Sequence, residues 1–415
     1  MNDLDSPAVY RERWLTPLLQ QAVADHPVVV VTGARQVGKS TLLRHAAPFR
    51  DWRYHTLDDL DTLRQAGEDP FGLWEGTDAV VLDEVQRAPG LLSAVKRAVD
   101  TDRRRRFVLS GSANLLLMHH VSESLAGRAV SFVLDPMSLG EQNDAAPPTL
   151  LADALAGRWP AEGAAVAPAR DPAPVLLRGL MPALLDLTAP AAWVRWWEGY
   201  VATYLERDLR QLARIDVLPD FQRVMRLLAL RSGQLLNQTD VARDAGVSQP
   251  TLHRWANLLE MTHLLVRLPA YAASRTTNLI KAPKVMWTDP GLAVFLGGYH
   301  DIEGLRAARE YGAFFEDLLF AHLHVLSGLS TPRGRLHFWR TRSGQEVDFV
   351  LEHGRRMLAI EVKLTERPGY RHTEGLRSFL DRHPEAAGGL LLHGGAAVVR
   401  LAERLVAVPW TMITG

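Results

Sequence analysis

Gly33-Ala34-Arg35-Gln36-Val37-Gly38-Lys39-Ser40 fits the pattern G-x-x-x-x-G-K-[ST]. It follows the apolar run VVVVTG, and the residues from Lys39 to Ala46 read as a helix. Strand, glycine-rich loop and helix in that order constrain the chain more than any other segment. The glycines let backbone N–H groups fold around phosphate oxygens, and the helix start adds positive potential. Lys39 reaches toward the β- and γ-phosphates of a nucleotide, and the Ser40 hydroxyl is a ligand for Mg²⁺, with Thr41 beside it. A chance glycine-rich turn would lack the flanking strand, the helix and the lysine.

The lysine carries weight because lysine is scarce. Of 47 basic residues only Lys39, Lys96, Lys281, Lys284 and Lys363 are lysines. A chain that uses arginine wherever charge suffices keeps lysine where arginine cannot replace it. The 47 acidic residues bring the formal net charge to zero, so no global field advertises nucleic acid, and any such contact must come from a local patch. Absence of cysteine excludes disulfides and thiol chemistry. No apolar run approaches the roughly 18–20 residues of a membrane helix, and the polar start MNDLDSPAVYRERW has no apolar signal core. These features predict a cytoplasmic protein with no membrane partner.

A second buried-strand pattern, DAVVLDE (Asp78 to Glu84), precedes the helical PGLLSAVKRAVD, and RRFVLSGSAN (Arg105 to Asn114) is a third. Strands alternating with helices predict a parallel sheet covered on both faces. Asp83, at the carboxyl end of its strand, is suited to hold Mg²⁺ through water, and Glu84 to orient the attacking water. Ser112 is the first choice for sensing a γ-phosphate, with Asn114 in reserve. Arg128, after a glycine, reads either as an arginine finger reaching a neighbouring subunit's nucleotide, which implies a homo-oligomer, or as a solvated surface residue.

Length predicts about two to four domains. An alanine- and proline-rich tract from Gln142 to Pro174 reads as a connector or loosely packed helical pair, and WVRWWEGYVATYLERDLRQL as a strong helix. Within the mostly helical residues 219–298, TDVARDAGVSQPTLHRWANLLE has the form of helix, glycine turn at Gly246, and second helix capped at Ser248. Such a helix offers Gln249, Thr251, His253 and Arg254 to a DNA major groove, with Arg275, Lys281 and Lys284 on a following β-wing near phosphates. The same module also serves as packing in proteins of this architecture.

The last segment contains EVDFVLEHGRRMLAIEVK, two strands about a Gly354-Arg355 turn. Pairing His353 with Arg356 sets Asp348 opposite Glu361 and Glu346 opposite Lys363, all on one face. The face is either a cross-strand charge lattice or a site in which two carboxylates share Mg²⁺ or Mn²⁺ beside a lysine. Arg340 and Arg342 lie just upstream, as phosphate contacts or as solvated charges.

Taken together, Gly33–Ser40, Leu82-Asp83-Glu84-Val85-Gln86, Gly111-Ser112 and Leu125 to Arg128 resemble the prokaryotic AAA-type ATPases that carry a C-terminal domain of unknown function, and the likeness continues through TYLERDL to the Glu-Val-Asp-Phe and Glu-Val-Lys strands. Ser40 stands where threonine is more frequent, and the Ala/Pro-rich insert departs from the pattern. The C-terminal segment resembles the restriction-endonuclease-like PD-(D/E)xK fold, which implies Glu316, on the preceding helix, as a third acidic metal ligand beside Asp348 and Glu361, with Lys363 catalytic. The resemblances imply an α/β protein: a P-loop AAA-type core (1–140), linker and helical lid (141–215), winged-helix module (216–300) and nuclease-like α/β domain (301–415). They imply ATP and Mg²⁺ as cofactors and DNA as partner, either cleaved or only bound by a regulator.

Overall fold

The computed structural model describes residues 10–111, 124–164, 170–208, 217–271 and 282–415. Two compact units emerge: residues 1–137 with 261–263, and residues 138–260 with 264–415.

In the first unit, the four valines and Thr32 of β1 (Val28–Thr32) are all buried, as a β-branched run covered on both faces requires. β2 (Arg53–Thr56), β3 (Ala79–Asp83), β4 (Arg106–Ser110) and β5 (Ala129–Val133) complete a parallel sheet in the order β2-β3-β4-β1-β5. The helix Leu91–Thr101 packs Leu91, Leu92, Val95, Ala98 and Val99 into a core that also holds Val30, Leu82, Phe107 and Trp74. Residue 33, where the phosphate loop begins, leaves the carboxyl end of β1 between β4 and β5. Open parallel sheets bind ligands at such carboxyl ends.

The second unit begins with helices. Leu150–Leu155 falls in the Ala/Pro-rich tract and Ala173–Arg178 starts at its end, each with a buried apolar face. Pro190–Tyr200 is α-helical and continues as a π-helix over Val201–Asp208. Helix Gln238–Ala245 is capped by the Asn237 side chain, which accepts from the N–H groups of Thr239 and Asp240, and ends at Gly246 in the left-handed region. Ser248 Oγ accepts from Thr251 N at 3.3 Å, the expected cap of helix Gln249–Met261. That helix turns Leu252, Trp255, Ala256 and Leu259 inward. β6 (Leu265–Leu268) and β7 (Lys284–Trp287) form an antiparallel ribbon.

A six-stranded sheet follows: β8 (Arg335–Arg340), β9 (Glu346–His353), β10 (Arg356–Lys363), β11 (Gly388–His393), β12 (Val399–Ala402) and β13 (Leu405–Pro409), in the order β12-β13-β11-β10-β9-β8. β8, β9 and β10 are antiparallel, whereas β10, β11 and β13 run parallel. The β9–β10 ladder starts at His353↔Arg356, as expected, and runs to Phe349↔Ile360. Gly354 at φ +64° permits the tight reversal.

Helix Tyr311–Gly328 is buried along most of its length. On it, His322 is fully enclosed: Leu139 N donates to Nε2 at 3.1 Å, which places the proton on Nδ1, 2.8 Å from Leu318 O. Burial pulls this imidazole down to about 4. Because the folded value lies below the unfolded one near 6.5, the neutral ring's contribution is complete above pH 6.5 and is lost as pH falls toward 4, by up to ~3 kcal/mol. Denaturation curves at pH 7 and pH 4.5 should therefore differ more for the natural chain than for His322→Gln; equal losses would remove His322 as the acid-sensitive group.

Candidate functional site

The phosphate loop is built from backbone that only certain residues tolerate. Gly33 has φ +149°, and a Cβ there would lie 2.2 Å from Leu134 O; Gly38 caps the helix Lys39–His45 at φ +97°. Gln36 also has positive φ. Arg13, 3% exposed, donates to Val37 O at 2.8 Å and Asp135 O at 2.7 Å, tying the loop to the end of β5. No local signal marks Arg13 in the sequence. Ala34 and Val37 are buried, Arg35, Gln36 and Thr41 exposed, Ser40 half-buried.

Lys39 is 5% exposed, and its Nζ donates to Gly33 O at 3.0 Å and Ala34 O at 2.9 Å. Burial pulls this ammonium down to about 8, against the opposing pull of Glu84 and Asp83. The acidic pair expected at the end of β3 therefore stands in electrostatic reach of Lys39. Asp83 is buried; Tyr54, on β2, donates its hydroxyl to Asp83 Oδ2, and Glu84 N donates to Oδ1 at 3.0 Å. Burial and the Asp83 carboxylate push the Tyr54 phenol up to about 12, and the Arg44 guanidinium lies 4.4 Å from its ring centre. Tyr54 was not legible in the sequence, because RYHT on an edge strand is too polar to read as a strand. Glu84 adopts φ +58°, unusual for a residue with a side chain, and accepts from Gln86 Nε2.

Ser112 and Asn114 lie outside the described residues. Arg128 does not project freely as expected of a finger: its Nε and Nη2 grip Asp100 Oδ1 and Oδ2 at 2.6 and 3.0 Å. A guanidinium and a carboxylate close enough in the same unit form a two-pronged pair before any neighbour can compete.

In the second unit, Gln249, His253 and Arg254 are exposed on their helix and Thr251 is half-buried. Arg275 and Lys281 lie outside the described residues. Lys284 departs from expectation. It is 2% exposed, and its Nζ lies 3.0 Å from Glu316 Oε1, 2.6 Å from Glu346 Oε1 and 3.9 Å from Asp348 Oδ1. Position 284 opens the inward-facing strand KVMW, so its side chain follows its apolar neighbours into the protein instead of reaching phosphates.

The carboxylates expected together do converge, but around lysine. Lys363 Nζ donates to Glu361 Oε1 at 2.7 Å, and Asp348 Oδ2 accepts from Val362 N at 2.8 Å. Arg340 lies 3.5 Å from Glu346. Burial, then the Asp348 charge, push Glu316 up to about 7 and Glu361 up to about 8, while Lys284 and Lys363 pull them back. Burial opposes the Lys284 ammonium, yet Glu316, Asp348 and Glu346 together hold it above its ordinary value. Among the described residues no group of three or more His, Cys, Asp or Glu side chains is arranged to hold a metal ion. Glu316, Asp348 and Glu361, expected to share a metal ion, face the Lys284 and Lys363 ammoniums in this structure.

A parallel sheet, a phosphate loop behind its inner strand and an acidic pair on a nearby strand end define an AAA-type nucleotide-binding ATPase, and the family described as "AAA domain" matches residues 25–143. Two families described as domains of unknown function, DUF8612 and DUF4143, match residues 170–303 and 311–413. The chain is 30% identical over 396 residues to the uncharacterized protein Rv2008c of Mycobacterium tuberculosis and equally to the uncharacterized protein Mb2031c of Mycobacterium bovis, covering 94% of this chain and 82% of each relative. It belongs to their family, AAA-type ATPases with a C-terminal domain of unknown function. Among solved structures, a Signal Transduction ATPase with Numerous Domains from Pyrococcus horikoshii, with a tetratricopeptide repeat sensor, aligns at 9% identity and TM-score 0.23 over 77% of this chain and 46% of that one, too slight a likeness to bear on the fold. No described helix is long and apolar enough to cross a membrane.

Proposed function

We propose that the chain hydrolyses ATP with Mg²⁺ and couples the cycle to a DNA-binding, nuclease-like C-terminal part. The observation that carries the ATPase reading is Lys39, buried on its own loop's carbonyls within electrostatic reach of Asp83 and Glu84. The residues fit the nucleotide and its ion. Backbone from Gly33 to Lys39 follows a path that a side chain at Gly33 would block, and Ser40 and Asp83 supply the oxygen donors that Mg²⁺ prefers. On binding, Lys39 exchanges the carbonyls of Gly33 and Ala34 for β- and γ-phosphate oxygens. Glu84 leaves Gln86 and orients the attacking water. Ser40 and Asp83 would hold Mg²⁺, which would neutralise charge developing on the phosphates. Arg128 acts in trans in a homo-oligomer only by exchanging Asp100 for a neighbour's nucleotide.

Residues 216–300 read as a winged helix: the Asn237-capped and Ser248-capped helices are followed by the β6–β7 ribbon, with Gln249, His253 and Arg254 on the exposed face. Residues 301–415 read as restriction-endonuclease-like, supported by Glu316, Asp348, Glu361 and Lys363 gathering at one end of a mixed sheet. A second reading, a regulator that binds DNA without cutting it, is favoured by Lys284 seated among those carboxylates. Fluorescence anisotropy with duplex and single-stranded DNA at fixed salt tests the DNA claim. Arg254→Glu should weaken binding roughly tenfold, since it replaces a phosphate attraction by repulsion. No binding to either DNA, with ATP or without, would end the DNA reading. Nicking of plasmid in Mg²⁺ or Mn²⁺ that is lost in Lys363→Ala separates the nuclease from the regulator.

A further inference from the structure

Lys284 deserves a role of its own, because three elements of the second unit converge on it. Glu316 comes from helix Tyr311–Gly328, and Glu346 and Asp348 come from β9. The Phe338 ring centre on β8 lies 5.7 Å from Nζ, so one flank of the ammonium is covered by an aromatic face. The lysine does not arrive on a loose arm. Gly233 N donates to Val285 O at 2.8 Å, Val285 N to Gln234 O at 3.1 Å and Leu236 N to Pro283 O at 2.8 Å. This pinned segment runs directly into Asn237, the cap of helix Gln238–Ala245.

Charge bookkeeping at the cluster is informative. With all four carboxyls ionised, Glu316, Glu346, Asp348 and Glu361 facing the cations Lys284, Lys363 and Arg340 leave one formal negative charge in excess; burial holds Glu361 and Glu316 partly protonated near neutral pH, so a bound cation would also have to displace protons there. In that fully ionised state, removing Lys284 would make the excess two, the charge of one divalent ion. A second observation shows unused ligand capacity: Glu361 is 7% exposed, and its Oε2 has no hydrogen-bond partner. A buried carboxylate oxygen left unpartnered is costly in a folded protein unless something else takes it up.

We propose that the Lys284 ammonium is the resident cation of this cluster and holds the carboxylates closed to divalent metal. The inference rests on reading Glu316, Asp348 and Glu361 as oxygen ligands for a hard cation, but not on whether the site cuts DNA. The occupant that Lys284 excludes is an Mg²⁺- or Mn²⁺-like ion. Access is then decided by the ribbon that carries Lys284 and, through residues 233–236, by the helix pair beside it.

Mn²⁺ binding to the full chain without nucleotide, followed by electron paramagnetic resonance, tests this. Lys284→Met should bind one Mn²⁺ more per chain than the natural protein, at least roughly tenfold tighter than anything the natural protein offers outside the phosphate loop. The added site should vanish in Lys284→Met combined with Asp348→Asn. The melting midpoint of Lys284→Met should rise by several degrees with Mn²⁺, while the natural protein's stays put. If Lys284→Met is unfolded alone, Mn²⁺ should restore its cooperative melting, and failure to do so would overturn the proposal. So would a folded Lys284→Met that takes up no extra Mn²⁺. A natural protein that already binds Mn²⁺ at a site removed by Asp348→Asn would sink the role of Lys284 and leave the nuclease reading standing. A metal-loaded Lys284→Met that cuts no DNA would do the reverse.

Discussion

Glu84→Gln is expected to lower ATP turnover by about 10²–10⁴-fold while leaving nucleotide binding nearly unchanged. The amide is the same shape but cannot take up or orient a proton of the attacking water. Glu84 already sits at an unusual φ of +58°, in the grip of Gln86, so the backbone is committed to aiming this one side chain. Lys39→Ala should differ in kind and lose binding as well, because the ammonium supplies attraction in the ground state too. Steady-state turnover beside equilibrium binding of a fluorescent ATP analogue separates the two. Full turnover in either variant would refute the assignment of this loop and strand end as the hydrolytic centre.

The second large effect concerns Gly375. A Cβ there would stand 1.9 Å from Glu346 O and 3.5 Å from Glu361 Oε2. The obstacle is backbone, so no rotamer change relieves it, and helix Glu374–Arg382 must lift off β9. Overpacking of well-packed cores costs about 1–3 kcal/mol; a main-chain clash should reach at least ~3 kcal/mol, equivalent to a ~100-fold loss of protection. Hydrogen exchange of β9 and β10 amides in Gly375→Ala should accelerate by that factor. Unchanged exchange would mean that the helix yields at little cost. Because Glu346 and Glu361 are both touched, Lys284 and Lys363 should lose their settled partners in the same variant.

The legible parts of this chain were those where one local rule dominates. VVVV can only be a covered strand, G-x-x-x-x-G-K-S can only wrap an anion, and Gly354 between alternating strands fixes a register that the β9–β10 ladder confirms. Edge strands β2 and β5 escaped because half-exposed residues carry little pattern. Tyr54 and Arg13 escaped for another reason. Each acts through a partner far away in sequence, Asp83 for one and Val37 and Asp135 for the other, and no spacing rule encodes such a meeting. Lys284, one of five scarce lysines, was expected to face phosphates and instead points inward. In KVMW the burial of neighbouring residues, rather than the charge itself, decided which way it pointed.

The order of strands in the first sheet has a consequence for how the chain acquires its shape. β1 lies between β4 and β5, so Val28 pairs with Phe107 on one side and Ala129 on the other, both far downstream. While the chain is being synthesised, the stretch that will cradle phosphate is made early but has no lateral support until those later segments emerge. Pairings of such long sequence separation form slowly. Nucleotide therefore cannot serve as an early template for this unit; it can only select chains whose sheet has already closed.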